Sequence, residues 1–361
     1  PARQPANTTP GVNVDSSMTA AVLHSPGDIR IENVARPQLS SSRDVLIGVE
    51  ACGVCGSDIG RMMVKGAHAM PLVCGHEFSG RVIDAGDDVT GLNIGDLITV
   101  PPLIPCNACD RCREGQFSLC QDYDYFGSRR DGAYTEVVLS PASNVLKVPH
   151  GVDPVAAAMT DPAAIALHAL RKTKLTIGST AAVVGAGPIG LFAIQFARLA
   201  GATTIVALDV SDAKLAMARQ AGADAVFFDA TDALDEYPDG FDVVFESAGV
   251  SVAENAAVRL CAPQGDAVFV GIPLTDVSIS VDNYSHFLRQ EISLHGSWNS
   301  FSAPWPGTEW TDTLHLFASG QLTWQFMVTH DLPVTEVPRM MQALADRSEH
   351  SSKVIFRPVA S

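Results

Sequence analysis

Four cysteines within one short segment constrain the fold of this chain more than any other feature. The run CNACDRCREGQFSLC contains all of them, at Cys106, Cys109, Cys112 and Cys120. Three thiols spaced C-x2-C-x2-C, with the fourth eight residues later, can close around one ion, and Zn²⁺ takes four thiolates tetrahedrally at about 2.3 Å. Free or disulfide-bonded cysteines are the alternative, but thiols this dense in a large chain favour a metal. We therefore predict a structural zinc site, because four thiolates leave no coordination position open for a substrate.

A second group of candidate ligands lies upstream and mixes ligand types. Cys55 in CGVCGSD and the pair His76-Glu77 in CGHEFSG offer a thiolate, an imidazole and a carboxylate. Asp161 supplies another carboxylate far along the chain. Mixed ligands that leave one position open are typical of catalytic zinc. A lone His-Glu pair more often lies on the protein surface than binds a metal, but the surrounding glycines favour a metal site here.

The segment that contains His76 and Glu77 carries a family signature. Residues 75–89 read G-H-E-x2-G-x5-G-x2-V, which resembles the zinc alcohol dehydrogenase signature of the medium-chain dehydrogenase/reductase family. The resemblance runs from about Met18 to the C-terminus. It implies an α/β protein with a mainly β, GroES-like catalytic domain and a Rossmann cofactor domain built on a doubly wound parallel sheet. The chain also resembles galactitol-1-phosphate 5-dehydrogenases and related polyol dehydrogenases in residues 65–71, 125–132 and 296–307.

The resemblance implies roles for individual residues. Cys55 and His76 would bind the catalytic zinc, and Glu77 and Asp161 would supply the remaining carboxylates, either directly or through a water. The polyol-dehydrogenase branch usually has Glu at the position of Asp161, which is one methylene shorter. Ser57 matches the family's hydroxyl that takes the proton of the alcohol.

The route by which that proton reaches solvent differs from the family pattern. Gly60 stands where many relatives have a histidine, so we expect the proton to leave through water, a ribose hydroxyl or another side chain. His68 is one candidate, with an ordinary loop histidine as the alternative. Asp58 is expected to orient the imidazole of His76, with a capping aspartate as the alternative.

Composition limits the class of protein. The chain has 361 residues, of which 47% are hydrophobic and 18% charged, and this length suits two domains with sizeable cores. The formal net charge of −16 would repel a nucleic-acid backbone. No apolar run approaches the roughly 20 residues that span a bilayer, and cysteines in metal-ligand spacing indicate a reducing cytoplasm. Residues 1–17 are polar and Pro-rich, which predicts a disordered extension.

A dinucleotide fingerprint follows residue 180. The apolar run 181–184 predicts a strand, and a helix-like pattern extends from the fingerprint to Ala200. Strand, G-x-G-x-x-G and helix together are the context in which this motif binds pyrophosphate at a helix N-terminus. The residues that we expect at the cofactor are Gly185, Gly187, Pro188, Ile189 and Gly190.

Further strands and helices alternate beyond the fingerprint and predict a doubly wound sheet. Asp209 ends the next strand, where a carboxylate accepts hydrogen bonds from ribose hydroxyls and repels a 2′-phosphate, so NAD is favoured over NADP. Val270, Gly271 and Ile272 are expected to close the fifth strand, beside the nicotinamide. Turn residues near Asp161 and again at 298–306 predict the crossings between domains. The predicted domains are 163–304 for the cofactor and 18–162 with 305–361 for catalysis.

The substrate is the least constrained part of the interpretation. Arg129 and Arg130 offer two guanidinium groups suited to a phosphate or a polyhydroxyl chain, with a solvated basic turn as the alternative. Trp298 and Trp305 would wall the cleft or pack at the domain junction. The resemblance implies galactitol 1-phosphate oxidised to the ketose, with a free polyol or vicinal diol as the alternative and a non-catalytic nucleotide- or zinc-binding protein as a remote one. It also implies a homodimer, with a tetramer left open.

Overall fold

The computed structural model describes residues 17–273 and 275–358. Residues 1–16, nearly all of the predicted extension, lie outside this part, whereas Ser17 already belongs to the first strand. No helix among the described residues is long and apolar enough to cross a membrane.

The N-terminal half is mainly β. Its strands are β1 (Ser17–Ser25), β2 (Asp28–Ala35), β3 (Asp44–Gly53), β4 (Leu72–Val73), β5 (Glu77–Ala85), β6 (Leu97–Thr99), β7 (Leu103–Ile104), β8 (Asp124–Tyr125), β9 (Val137–Pro141) and β10 (Leu146–Lys147). Its helices are short: α1 (Gly56–Gly60), which continues as a π-helix (Arg61–Lys65), and α2 (Asp110–Arg113).

The middle of the chain alternates strands and helices. Its strands are β11 (Thr180–Val184), β12 (Thr204–Leu208), β13 (Ala225–Phe227), β14 (Phe241–Glu246), β15 (Cys261–Phe269) and β16 (Ser293–Gly296). The helices are α3 (Pro154–Ala158), α4 (Thr160–Leu170), α5 (Pro188–Leu199), α6 (Asp212–Ala221), α7 (Ala230–Glu236), α8 (Ser251–Leu260) and α9 (Val281–Arg289). The C-terminal part adds α10 (Thr308–Ala318), β17 (Val328–Pro333), α11 (Val337–Asp346) and β18 (Lys353–Arg357).

The β-rich half is organised around β3. The larger sheet runs β10-β6-β5-β3-β18-β17, with β9 also paired to β3, and a smaller sheet runs β2-β1-β4. In this register Gly53, the last residue of β3, lies opposite Glu77 of β5 and Ile355 of β18. The C-terminal strands therefore reach the residues that precede the first candidate ligand, Cys55.

The cofactor half is one parallel sheet in the order β13-β12-β11-β14-β15-β16. Strand order 3-2-1-4-5-6 is that of the doubly wound dinucleotide-binding fold, so the predicted topology is confirmed. Strands β11, β12 and β14 bury runs of Ala, Val, Ile, Leu and Phe side chains, as expected of strands covered by helices on both sides.

Two local predictions are wrong. Asp161 lies in the first turn of helix α4 and not in a turn, because a proline in the first helical turn loses no hydrogen bond and Pro162 is tolerated there. The fifth strand, β15, begins at Cys261 and ends at Phe269. Val270, Gly271 and Ile272 therefore form the loop that follows the strand.

Candidate active site and metal centres

The four cysteines of the 106–120 segment converge as predicted. Their Sγ atoms all lie within 4.8 Å of one another, and none of the eight cysteines forms a disulfide. Backbone N–H groups point at the sulfurs: the Cys106 amide lies 3.3 Å from Cys120 Sγ, and the Cys109 amide lies 3.4 Å from Cys106 Sγ. Hydrogen bonds from backbone amides, first that of Gln121, lower the pKa of Cys109 to about 6. The lowered pKa favours the thiolate form of Cys109. Four clustered thiols of this kind fit a closed Zn²⁺ site.

This four-cysteine lobe is anchored to the segment before α10. Ser118 Oγ donates to the Phe301 carbonyl at 3.0 Å and accepts from the Phe301 amide at 2.9 Å. Phe117 packs edge-on against Trp305, whose ring also contacts Phe301. Trp305 thus packs at the junction between the two halves, and its indole N–H donates to the Ser143 carbonyl at 3.0 Å.

A second cluster joins Cys55, His76 and Glu77. Each offers one ligand atom, and these atoms lie within 4.8 Å of one another. Cys55 is the residue before α1, whereas Glu77 is the first residue of β5 and His76 immediately precedes it, after a bend of the chain at Gly75. Gly75 has φ = 92°, and a Cβ there would lie 2.7 Å from the Tyr134 ring, so only glycine fits this bend.

Asp161 lies outside that group of three but in the same buried surroundings. It is 3% exposed, and its Oδ2 has no hydrogen-bond partner among the described residues. Burial raises the pKa of Asp161 to about 7; the nearby His76 opposes this rise and Glu77 adds to it. A buried carboxylate without a hydrogen-bond partner, close to the His76 imidazole and the Glu77 carboxylate, fits a divalent cation at this place.

Asp58 lies beside the imidazole and also caps the start of α1, so the geometry of both alternatives for this residue is present. Its Oδ1 lies 3.3 Å from His76 Nδ1, an ion-pair distance, and accepts a hydrogen bond from Arg61 Nη1 at 2.5 Å. Its Oδ2 accepts from the Tyr134 hydroxyl at 3.1 Å and from the Cys55 amide at 3.1 Å. Burial alone would raise the pKa of Asp58, but the charges of His76 and Arg61 hold it at about 2.

Glu77 meets a partner that is remote in sequence. Lys353 of β18 is 1% exposed; its Nζ forms an ion pair with Glu77 Oε2 and donates to the Val54 carbonyl at 3.0 Å. A Cβ on Gly53 would lie 2.5 Å from Glu77 Oε2 and 2.7 Å from Lys353 Cε. The missing side chain of Gly53 therefore leaves the space that this ion pair fills.

The predicted proton-transfer residues lie at different distances from this cluster. Ser57 Oγ is 3.3 Å from Cys55 Sγ, so its hydroxyl lies beside the first candidate ligand. His68 Nδ1 lies 3.1 Å from Ser128 Oγ. This contact is typical of an ordinary loop histidine, which is the alternative to a role in proton transfer. A Cβ on Gly60 would meet no heavy atom within 4 Å, so this position is open.

The fingerprint loop has the shape of a phosphate cradle. Gly185 has φ = 96°, and a Cβ on Gly190 would lie 1.9 Å from the Gly185 carbonyl oxygen. A Cβ on Gly187 would meet nothing within 4 Å, which leaves open space in front of α5, whose first residue is Pro188. Both close contacts and the open middle glycine match the three roles of glycine in this motif.

Other predicted cofactor residues share the same edge of the sheet. Asp209 follows β12, and its Oδ2 accepts from the amide of Ala186 in the fingerprint loop at 2.9 Å. A Cβ on Gly271 would lie 2.2 Å from the Gly249 amide nitrogen, so the loops after β14 and β15 approach closely there. Ile272 is exposed in the same loop. The carboxyl ends of parallel strands are where such folds bind dinucleotides.

Two family models and several relatives match the chain. The model described as alcohol dehydrogenase GroES-like domain matches residues 41–150, and that described as zinc-binding dehydrogenase matches residues 188–318. Galactitol 1-phosphate 5-dehydrogenase of Escherichia coli (strain K12) is 32% identical over 94% of this chain and 100% of its own length. The chain belongs to the zinc-dependent medium-chain dehydrogenase family. It is thus an oxidoreductase with the GroES-like and Rossmann domains expected above.

Two further similarities show how broad this family is. A sorbitol dehydrogenase of Halalkalibacterium halodurans is 31% identical over 93% of this chain and 97% of its own length. A crystal structure of a zinc-binding dehydrogenase from Sinorhizobium meliloti 1021 bound to NADP superposes with a TM-score of 0.88. It is 32% identical and covers 95% of this chain and 100% of its own.

The predicted substrate arginines of this dehydrogenase contact aromatic and acidic side chains outside the Cys55 cluster. The guanidinium of Arg129 stacks on Tyr123 at 4.7 Å, and that of Arg130 lies 5.1 Å from the Phe126 ring, with Asp124 3.5 Å away. Both arginines line a groove of about 700 Å³ beneath the β1–β2 hairpin that includes none of the candidate metal ligands. Trp298 is half exposed and forms no aromatic pair among the described residues.

Sequence reasoning missed three residues at the site of this dehydrogenase: Lys353, Arg61 and Tyr125. Tyr125 stands edge-on to His76, with ring centroids 5.6 Å apart. The sequence signal for a buried role of Lys353 is weak: it is a lysine at the start of the apolar run KVIF. Neither of the other two stands in a motif whose spacing marks it.

Proposed function

We propose that this dehydrogenase oxidises a secondary alcohol of a polyol phosphate to a ketose phosphate and transfers the hydride to NAD⁺. The observation that carries the proposal is the cluster of Cys55, His76 and Glu77 beside the unpartnered, buried carboxylate of Asp161. Mixed ligands of this kind hold a zinc ion while leaving one position for a substrate.

The chain's side chains would hold two ions. Cys55, His76 and Glu77 would bind the catalytic one, with Asp161 completing the set through a water, because its side chain lies outside the 4.8 Å group. The four-cysteine lobe would hold the structural one. Bound Zn²⁺ is a Lewis acid that lowers the pKa of an alcohol hydroxyl. Asp58 would fix the tautomer and orientation of His76.

The reaction removes a hydride from the substrate carbon and a proton from its oxygen. The hydride passes to the nicotinamide C4 of NAD⁺, giving NADH, and a carbonyl replaces the alcohol. Ser57 Oγ would accept the proton, because it lies beside Cys55. The proton then leaves to solvent, for which the open space at Gly60 offers a route.

NAD is the proposed cofactor, bound by Gly185, Gly187, Pro188, Ile189 and Gly190, by Asp209, and by the loop at Val270, Gly271 and Ile272. The proposed preference for NAD over NADP rests on Asp209, because its carboxylate at the end of β12 would repel a 2′-phosphate. Lys214 Nζ lies 3.8 Å from the carboxylate and lessens that repulsion. The assay therefore includes NADP⁺, and faster reduction of NADP⁺ would contradict the NAD assignment.

The polyol phosphate is favoured by the likeness to galactitol 1-phosphate 5-dehydrogenase. A free polyol is the second candidate because of the likeness to a sorbitol dehydrogenase. Arg129, Arg130 and Trp298 remain candidates for contact with the substrate, although the groove that the two arginines line includes none of the candidate metal ligands.

NADH formation, followed at 340 nm, tests the proposal. The zinc-loaded protein is given galactitol 1-phosphate, galactitol, sorbitol, xylitol and butane-2,3-diol under identical conditions. A higher kcat/KM for the phosphorylated polyol is the expected result. Equal or better rates with a free polyol or diol would contradict the assignment of a polyol phosphate as the substrate. Absence of turnover with every alcohol would reject the proposed function.

A further inference from the structure

Arg61 places an unassigned positive charge beside the candidate catalytic metal centre. It is the first residue of the π-helix that continues α1, the helix that begins just after Cys55. Its side chain is only 16% exposed. Within residues 17–273 and 275–358, its guanidinium forms one hydrogen bond, from Nη1 to Asp58 Oδ1 at 2.5 Å. A guanidinium has five N–H donors, so most of its donors are unused in a largely enclosed place.

The surroundings of Arg61 are those of the candidate active site. Burial alone would lower the pKa of Arg61, but the charges of Asp58, Cys74 and Cys55 raise it. Tyr125 contacts the same imidazole as Asp58: its ring stands edge-on to that of His76, with centroids 5.6 Å apart. The Tyr125 hydroxyl has no hydrogen-bond partner in the described part of the chain. Two polar groups with unused donors therefore lie around Asp58 and His76.

The residue before Arg61 leaves open space beside the helix. A Cβ on the preceding residue, Gly60, would meet no heavy atom within 4 Å. π-Helical turns often occur at functional sites, where they redirect a side chain relative to a regular helix. The chain carries a formal net charge of −16, so an anionic substrate needs a local cation to be admitted.

We infer that Arg61 is a substrate-binding residue that holds the anionic end of the substrate, distant from the carbon that is oxidised. This inference rests on the proposed function and names the residue that would make it specific for a phosphorylated polyol. A partly desolvated guanidinium forms strong, two-pronged hydrogen bonds with phosphate or carboxylate oxygens. Tyr125, edge-on to His76, lines the same space and offers its hydroxyl to the polyol chain.

The arginines singled out from the sequence are less suited to this task. Arg129 stacks on Tyr123, and Arg130 lies near Asp124 at 3.5 Å. Both line the groove under the β1–β2 hairpin, which includes none of the candidate metal ligands. Arg61, in contrast, is joined through one carboxylate, Asp58, to the imidazole of His76.

Arg61→Met and Arg61→Lys in the zinc-loaded enzyme test the inference. The control is Arg43→Met, at an exposed arginine whose side chain makes no hydrogen bond or ion pair to the described residues. For Arg61→Met we expect KM for galactitol 1-phosphate to rise roughly 10- to 100-fold, the loss of one charged hydrogen-bonding partner. KM for galactitol should rise less than KM for galactitol 1-phosphate, and zinc content should stay constant, because Asp58 keeps the hydrogen bonds from the Cys55 amide and the Tyr134 hydroxyl. Arg61→Lys should recover part of the loss.

Other results would overturn the inference. Equal losses for phosphorylated and free galactitol, together with a lower zinc content, would mean that Arg61 only supports Asp58. A selective loss in Arg129→Ala/Arg130→Ala, with none in Arg61→Met, would move the anion site to the groove. L-Idonate, assayed in parallel, distinguishes the two sources of negative charge: a loss confined to it would keep Arg61 as the anion-binding residue for a carboxylate.

Calorimetric titration separates failure of the inference from failure of the proposed function. Galactitol 1-phosphate and galactitol are titrated into the zinc-loaded protein without NAD⁺. One outcome would reject the proposed function and support the inference: no alcohol is oxidised, yet the phosphorylated polyol binds to the wild type and Arg61→Met abolishes that binding. Equal binding of both ligands to the wild type, or binding that Arg61→Met leaves unchanged, overturns the inference.

Discussion

Lys353 and Glu77 bury opposite charges against each other inside the catalytic sheet. Lys353 is 1% exposed and Glu77 2%. The pair lies directly behind Gly53, where a Cβ would collide with both side chains. Breaking a buried ion pair by removing one partner costs about 3–5 kcal/mol, because the other charge is left uncompensated.

Lys353→Met therefore destabilises the zinc-free protein by about 3–5 kcal/mol, since Glu77 loses its partner. Urea unfolding followed by circular dichroism measures the change. The double variant Lys353→Met/Glu77→Gln is the control and should recover part of the loss, because no charge is then left buried alone. A double variant as unstable as the sum of the two single variants would contradict the coupling.

Ser57→Ala tests the residue that we place at the alcohol proton. Loss of a positioned proton acceptor lowers kcat by about 100-fold or more. Because the hydroxyl lies beside Cys55 but is not a candidate ligand, zinc content and the Kd for NADH should remain those of the wild type. Stopped-flow measurement of NADH formation gives the rate, and a kcat within about twofold of the wild type would exclude this role.

At the level of elements, helix α4 connects the candidate site to the C-terminal part. Asp161 lies in its first turn and His168 in its last. His168 Nδ1 lies 2.8 Å from Glu309 Oε1 of α10, and Ser302 Oγ donates to Glu309 Oε2 at 2.7 Å. Glu309 is 3% exposed. Burial alone would raise its pKa, but the hydrogen bonds from His168 and Ser302 lower it below the usual 4.5.

Glu309→Gln should destabilise the protein at neutral pH and matter less in acid. A carboxyl whose folded-state pKa is depressed contributes stability that is fully present above its ordinary pKa and is lost as pH falls through the folded-state value. The difference in unfolding free energy between wild type and variant should thus shrink as the pH falls below about 4.5. Urea unfolding at several pH values measures it. Glu114→Gln, at an exposed pair with Arg111, is the control and should show little difference at any pH.

The four-cysteine lobe is the second element with a distinct prediction. Cys112→Ser removes one of four thiolates, so the protein should retain about one zinc ion per chain instead of about two. The temperature of unfolding should fall, because the metal also holds the lobe that docks on Phe301 through Ser118. Mass spectrometry of the bound metal measures the content. Cys261→Ser, at a buried thiol of the cofactor half, is the control and should keep both ions.

At the scale of the whole molecule, the cofactor sheet ends in an edge that favours pairing of two copies. β16 pairs with β15 on one side, and in the described residues no strand covers its other side. Leu294 on β16 is 40% exposed, and α9 exposes Val281, Tyr284 and Leu288 while burying none of its residues. An uncovered strand edge flanked by apolar side chains invites another strand.

We predict a homodimer that extends this sheet across a two-fold axis. Leu294→Arg should raise the dissociation constant roughly tenfold or more, because two like charges then face each other at the axis. Size-exclusion chromatography with light scattering across a concentration series measures it. Ile94→Arg, at an exposed apolar residue of the catalytic half, should leave the assembly unchanged. A wild-type tetramer that Leu294→Arg splits into dimers would keep this interface and add a second one, whereas a monomeric wild type would reject it.

Local patterns in the sequence predicted much of the fold. The strand before the fingerprint, the helix after it and the next strand lie within one residue of their predicted ends. The fifth strand lies earlier than predicted, because the chain is already extended from Cys261 through Pro263 and Gly265 and leaves the sheet after Phe269. The turn predicted near Asp161 is instead the first turn of α4, because the first helical turn accepts the proline at position 162.

The sequence by itself determined what depends on spacing along the chain: four thiols for one ion, the Cys55, His76 and Glu77 cluster, and the glycines of the fingerprint. The four thiols and the fingerprint glycines are close in sequence, so local geometry brings each group together. The ligand motifs mark Cys55, His76 and Glu77, and the pairing of β3 with β5 then brings them to one place. Only the tertiary structure decided that Lys353, 276 residues from Glu77, fills the space behind Gly53, and that Arg129 lines a groove that includes none of the candidate metal ligands. Such contacts depend on which strands pair and how closely their side chains pack, and no short pattern in a single chain encodes that choice.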